Sequence, residues 1–210
     1  MTGTLVKICG ISTPETLAAA IGSGASHVGF VHFAKSPRHL SLAEAGRLRA
    51  LVPAHVQAVL LLVNPTAQVL AEAVRTVAPD VVQFHGAETP DALARFRAQT
   101  GIEVWRALAV KDAAALKDAK QFRGAADRVL LDAPASSLPG GNGTSFDWSL
   151  LAGWQAPLAW GLAGGLTPAN VAEAIRLTRA PLVDTSSGVE SAPGLKDMDR
   201  IAAFCKAARL

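Results

Sequence analysis

Cysteine is scarce in this chain: there are two, Cys9 and Cys205, near opposite ends of 210 residues. That excludes a disulfide-stapled scaffold, and no bond between the two is expected in a chain that reads as cytoplasmic. Charge is sparse as well. Charged residues make up 18% of the chain and hydrophobic ones 50%, a balance that suits strands buried on both faces. Long apolar runs are missing. No stretch reaches the ~18 residues that a membrane span needs, and the richest, Leu150 to Leu166, is broken by Gln155, Pro157 and several glycines. The amino terminus has no basic segment followed by a long apolar one, so no signal peptide is expected. The net charge is only +3, and no basic run marks nucleic-acid binding. An early Gly-x-Gly-x-x-Gly is absent, which weakens the case for an open dinucleotide-binding sheet. The length fits a single domain over residues 1–210 with a substantial core.

What the chain does have is one repeating unit. Short β-branched or apolar runs begin near Leu5, His27, Gln57, Val81, Glu103, Arg128, Leu158 and Leu182. Between them lie helical patterns over Pro14–Ile21, Ser41–Leu51, Thr66–Val77, Pro90–Thr100, Asp112–Gln121, Pro168–Leu177 and Lys196–Ala207, with a short turn around Phe146–Ser149. Ser12-Thr13-Pro14-Glu15, Thr89-Pro90-Asp91 and Thr167-Pro168-Ala169 are helix starts in their grammar. Eight strand–helix units of this length predict an α/β fold, a single (β/α)8 TIM barrel.

Parallel α/β enzymes keep their chemistry at the carboxyl ends of strands. Strand 1 ends at Cys9, and side-chain alternation puts Leu5, Lys7 and Cys9 on one face. Lys7 can therefore stabilise a thiolate. Strand 2 leads into Lys35-Ser36-Pro37-Arg38, two cations in a proline-held loop. Strand 4 leads into Gln83-Phe84-His85-Gly86, with Gln83 and His85 on one face. Strand 6 ends at Asp132, ahead of a long loop containing Gly140-Gly141-Asn142-Gly143. Strand 7 runs into Gly164-Gly165, and strand 8 ends Asp184-Thr185-Ser186-Ser187-Gly188. Glycines after strand 7 and a small-residue turn after strand 8 would expose backbone N–H groups as a phosphate cradle.

These segments, together with Gly29-Phe30-Val31, Phe146-Asp147-Trp148 and Val189-Glu190, resemble the phosphoribosylanthranilate isomerase family of tryptophan biosynthesis, in the family's order and over nearly the whole chain. Three positions depart from its usual pattern. His32 stands where an aromatic or apolar residue is common, Ala163 replaces a common serine, and Thr185 a common valine.

The resemblance implies an Amadori rearrangement of N-(5-phosphoribosyl)anthranilate to 1-(2-carboxyphenylamino)-1-deoxyribulose 5-phosphate. An acid protonates the ribose ring oxygen, a base removes the C2 proton, and the substrate's own nitrogen is the electron sink, so no cofactor and no metal is expected. By resemblance Cys9 is the base and Asp132 the acid. Arg38 is expected at the anthranilate carboxylate, with Lys35 as its competitor. Gly164, Gly165, Ser186 and Ser187 are expected at the phosphate, and Gln83, His85 and Gly141 around the ligand. Asp184 either pairs with Lys7 or caps the strand 8 loop.

Unperturbed, a thiol titrates near ~8.5 and an aspartate near ~3.9, so both groups would be mostly in the wrong form at neutral pH. Lys7 and the cradle are expected to favour a thiolate. Burial is expected to raise Asp132, against an inward-facing Arg106 on strand 5. Two other functions fit less well. The aminoaldose isomerase of histidine biosynthesis typically has aspartate in place of Cys9 and two phosphate sites. A non-catalytic phosphate sensor would not need Cys9 and Asp132 together. The expected partner is the small-molecule substrate, with no nucleic acid and no membrane, and the chain is expected to be a monomer or homodimer.

Overall fold

The computed structural model describes residues 3–134 and 146–209. Eight parallel strands close into a barrel in sequence order. They are β1 (Leu5–Cys9), β2 (His27–His32), β3 (Gln57–Leu62), β4 (Val81–Phe84), β5 (Glu103–Ala109), β6 (Arg128–Asp132), β7 (Ala159–Leu162) and β8 (Leu182–Thr185). β8 pairs back onto β1, with Lys7 opposite Asp184. This is the expected (β/α)8 barrel. Each strand begins at its expected residue except β7, which starts at Ala159 rather than Leu158.

The outer ring contains α1 (Pro14–Gly22), α2 (Leu42–Arg49), α3 (Ala67–Val77), α4 (Pro90–Thr100), α5 (Val171–Thr178) and α6 (Met198–Ala207). Two of the three named helix starts are used as written. Thr13 and Thr89 accept from the N–H groups of Thr16 and Ala92, each with proline in the first turn. Ser41 and Glu44 form a reciprocal capping box. A cap of this kind contributes ~0.5–2 kcal/mol.

Three helices depart from expectation. The fifth is a 3-10 helix over Ala115–Phe122, because Asp112 Oδ1 holds the Ala114 and Ala115 N–H groups in a turn. Its buried residues Leu116, Ala119 and Phe122 recur every third position, the period at which 3-10 side chains eclipse. α5 starts at Val171, not Pro168. Asn170 accepts from Thr167 N at 2.7 Å and donates to Gly165 O at 3.0 Å, so Thr167-Pro168 belongs to a turn. α6 starts at Met198, capped by Asp197. Lys196, expected in that helix, lies instead in a small hairpin, β9 (Glu190–Ala192) with β10 (Leu195–Lys196). The short turn near Phe146 is a 3-10 helix over Trp148–Leu151.

Strand alternation divides the core. Val59, Val81, Trp105, Leu130 and Leu182 fill the barrel interior. Ile8, Phe30, Leu60 and Leu62 pack outward with Leu17, Leu93, Phe96 and Phe204 from the helices. Full burial of each such side chain contributes ~1.5–3 kcal/mol. The inner layer is tight. A Cβ at Gly161 would meet Leu182 Cδ2 at 2.6 Å and Leu130 Cδ2 at 2.8 Å, so the glycine lets the two leucines close over β7. Since Trp105 points inward, its neighbour Arg106 does not. Arg106 donates to Glu88 and to Gly86 O and lies over the Phe122 ring, which corrects the inward placement expected for it. Among the described residues, no helix is long and apolar enough to cross a membrane.

Candidate active site

The carboxyl ends of the strands frame a cleft that is open to solvent. All the expected site residues line it except Lys7, which lies beneath it, and Gly141, which is outside the described residues. Lys35 is exposed and does not reach the cleft, whereas Arg38 does.

β1 brings Lys7 and Cys9 to the barrel interior. Lys7 is wholly buried and donates to Asp184 Oδ2 at 2.8 Å across the β1–β8 pair, so Asp184 is the partner of Lys7. Burial alone would depress Lys7, but the combined pull of Asp184 and Cys9 outweighs it and holds the ammonium charged. Cys9 pairs in register with Gly29, where a Cβ would stand 2.9 Å from the sulfur. Only glycine there leaves room for the thiol. Burial pushes the Cys9 pKa up, and the nearby Asp184 adds to this. Lys7 and Lys196 pull the other way without prevailing, so the thiol holds its proton at neutral pH. The expected preference for a thiolate is therefore overridden by desolvation.

Asp132 ends β6, where Oδ1 accepts from Ala133 N at 2.8 Å and Oδ2 lies 3.5 Å from His85 Nε2. Burial, helped by the negative charge of Asp184, pushes its pKa up to about 7. Burial also drives His85 down to about 4, with Lys7 and Arg106 adding to the effect, so His85 is neutral and its contact with Asp132 is not an ion pair. A buried carboxylic acid poised near neutrality is a group that can deliver a proton.

Gly164 joins β7 to the rest of the site. Its φ is +81°, and a Cβ there would sit 3.0 Å from Asp132 Oδ1. At the end of β8, Thr185 donates to Leu166 O at 2.7 Å, which binds the strand end to the loop after β7. Ser186 in turn touches the space beside Gly10, next to Cys9. The two loops thus bridge the wall between the acid and the thiol. Gln83 Oε1, His85 Nδ1 and Asp184 Oδ1 are buried without a partner among the described residues. Buried polar atoms of this kind call for a hydrogen-bonding guest.

The sequence reading missed several residues. Val31, Phe33 and Leu61 form an apolar wall of the cleft; the inward parity of Val31 on β2 and Leu61 on β3 is the available signal, and Phe33 follows just past β2. Glu190 and Lys196 form a buried ion pair at 2.5 Å beside the Arg38 loop, and Glu190 holds the Arg38 guanidinium. Of the departures, His32 faces outward and its Nδ1 meets Leu40 O, while Ala163 and Thr185 line the cleft. Among the described residues, no group of three or more His, Cys, Asp or Glu side chains is arranged to hold a metal.

A family model described as N-(5'phosphoribosyl)anthranilate (PRA) isomerase matches residues 6–207. The N-(5'-phosphoribosyl)anthranilate isomerase of Erythrobacter litoralis is 61% identical over 206 residues, covering 98% of this chain and 99% of the relative. A phosphoribosyl anthranilate isomerase solved with reduced 1-(o-carboxyphenylamino)-1-deoxyribulose 5-phosphate superposes with a TM-score of 0.86 at 34% identity, covering 98% of each chain. Monomers generated from the dimeric Thermotoga maritima enzyme superpose with a TM-score of 0.86 at 35% identity, again covering 98% of each chain.

Proposed function

The chain belongs to the N-(5'-phosphoribosyl)anthranilate isomerase family, and from that premise we propose that Asp132 and Cys9 are the acid and base of its reaction. The reaction is the conversion of N-(5-phosphoribosyl)anthranilate to 1-(2-carboxyphenylamino)-1-deoxyribulose 5-phosphate in tryptophan biosynthesis. The observation that carries the assignment is the Asp132 carboxyl. It is buried, holds its proton up to about pH 7, and shares one cleft with the Cys9 thiol.

Asp132 donates its proton to the ribose ring oxygen, the C1–O bond breaks, and the substrate nitrogen takes up the positive charge as an iminium. Cys9, as thiolate, removes the C2 proton. The electron pair moves into the C1–C2 bond and neutralises the nitrogen, giving an enolamine. Tautomerisation of the enolamine at C1 then yields the ketone. Lys7 offsets the negative charge on Cys9 from below, and Asp184 fixes Lys7.

The substrate's two anionic ends are held apart. Gly164, Gly165, Ser186 and Ser187 take the phosphate through backbone and hydroxyl donors. Arg38 takes the carboxylate, with Val31, Phe33 and Leu61 against the aryl ring and Gln83 and His85 along the sugar. Every one of these residues comes from a single barrel. Loss of phosphoribosylanthranilate fluorescence on adding purified protein tests the activity. Asp132→Asn and Cys9→Ser test the roles, each expected to lower turnover at least ~10²-fold with product affinity nearly unchanged.

A further inference from the structure

Two cations and one carboxylate converge where the β9–β10 hairpin meets the Arg38 loop. Glu190 is buried and takes two parallel hydrogen bonds from Arg38, Nε to Oε1 at 2.9 Å and Nη2 to Oε2 at 2.5 Å. Oε1 also accepts from Lys196 Nζ at 2.5 Å, and Oε2 from Gly194 N at 3.2 Å. Lys196 reaches on to Ser186 O at 3.2 Å and Ser186 Oγ at 3.3 Å.

The fork with Glu190 uses one edge of the guanidinium. The other edge, formed by Nη1 and the second N–H of Nη2, has no partner among the described residues, and Arg38 lines the cleft. On its own loop the Arg38 backbone N–H is steadied by Ser36 Oγ at 3.2 Å, a contact that does not orient the side chain. A free arginine must lose rotamer freedom to grip a ligand; one already forked to a buried carboxylate has lost it beforehand. The three charges sum to one positive charge, which leaves the cluster complementary to a carboxylate.

We propose that Glu190 is a positioning residue that aims the open edge of Arg38 at the substrate's carboxylate and thereby sets selectivity for a carboxylate-bearing aryl group. The inference rests on Arg38 being the carboxylate's partner, as proposed above. Glu190 touches no substrate. It acts through Arg38, and its link to Lys196 and Ser186 ties the carboxylate end to the turn at the phosphate end.

The experiment is equilibrium binding of two ligands, the reduced product analogue and the same analogue without its carboxyl group. Wild type, Arg38→Ala, Glu190→Gln, Lys196→Met and the Arg38→Ala/Glu190→Gln pair are compared, with thermal melts to confirm folding. The readout is the ratio of the two affinities, which general loosening of the fold does not move. Arg38→Ala should collapse the ratio. Glu190→Gln should lower it about tenfold, the scale of a charge-assisted contact, and should add nothing in the double variant. Lys196→Met leaves the fork in place and should keep the ratio.

If Arg38→Ala preserves the ratio, the carboxylate assignment itself fails. If Arg38→Ala collapses it while Glu190→Gln leaves or raises it, Glu190 does not position Arg38. An equal collapse in Lys196→Met would make hairpin order the cause and overturn the inference. Should Glu190→Gln not fold, Glu190→Asp, too short to span both nitrogens from the same backbone, carries the same expectation.

Discussion

The Lys7 ammonium and the Asp184 carboxylate meet at 2.8 Å across the β1–β8 pair, with no part of Lys7 exposed to solvent. Removing one member of a buried pair leaves the other charge unpaired, which typically costs ~3–5 kcal/mol. Lys7→Met should therefore destabilise the barrel on that scale in urea unfolding. Lys7→Met/Asp184→Asn should recover most of the loss, because both charges are gone. Turnover should not recover, since Cys9 has then lost the cation that opposes its burial. A double variant that regained full turnover would make the role of Lys7 structural only.

Asp132 stores a stability penalty at the site. Its folded pKa of about 7 lies above the ordinary aspartate value of 3.8. The folded state therefore holds a proton that the unfolded state has released between these values. Stability from this group is lost as pH rises from about 4 through 7. Asp132→Asn, which mimics the protonated form, should stabilise the protein by roughly 2–4 kcal/mol at pH 8 and by less at pH 5. Denaturant curves at the two pH values check this. A variant destabilised at pH 8 would mean that the carboxylate is favourably held when ionised.

Much of this was legible in the sequence, for physical reasons that can be named. The strands are buried on both faces, so each reads as a short apolar run between helix starts, and Cys9, Asp132 and Ser186 fall at strand ends by spacing alone. Lys7 and Asp184 share parity on neighbouring strands, which made their pairing one of two open readings. Other features depend on facts that no local pattern carries. Trp105 and Arg106 are adjacent, and the barrel interior took the larger apolar ring, which sent Arg106 outward to Glu88. Lys196 sits in a helix-like run, but Asp197 caps α6 two residues later than expected and leaves Lys196 in the hairpin. The state of the Cys9 thiol is likewise invisible to a local pattern, because the desolvation that outweighs Lys7 arises only in the packed barrel.

The phosphate loops give a prediction of their own. Gly165 has φ of +63° and lines the cleft between Gly164 and Leu166. A branched side chain there is strained in backbone conformation and enters the space where N–H groups would face the anion. Gly165→Val should weaken inorganic phosphate as an inhibitor and should weaken product analogues with and without a carboxyl group alike. Unchanged inhibition by phosphate would move the phosphate site elsewhere.

The pH dependence of kcat/KM tests the acid–base pair most directly. Activity needs Asp132 protonated and Cys9 ionised, yet Asp132 titrates at about 7 and Cys9 above its ordinary range. Below pH 7 both groups carry protons and no base is present. Between the two values one proton remains, mostly on the sulfur, and the minority form with that proton on Asp132 is the reactive one. Above both values no acid remains. The profile should therefore rise through pH 7, hold a plateau, and fall only beyond the usual thiol range near ~8.5. Here the carboxyl appears on the acid limb, although it serves as the acid. If kcat/KM instead declined as pH rose through 7, Asp132 would be titrating on the alkaline limb, and Cys9 would have to be a thiolate well below neutrality. Alkylation of Cys9 followed across the same pH range distinguishes the two orders, since only the thiolate reacts.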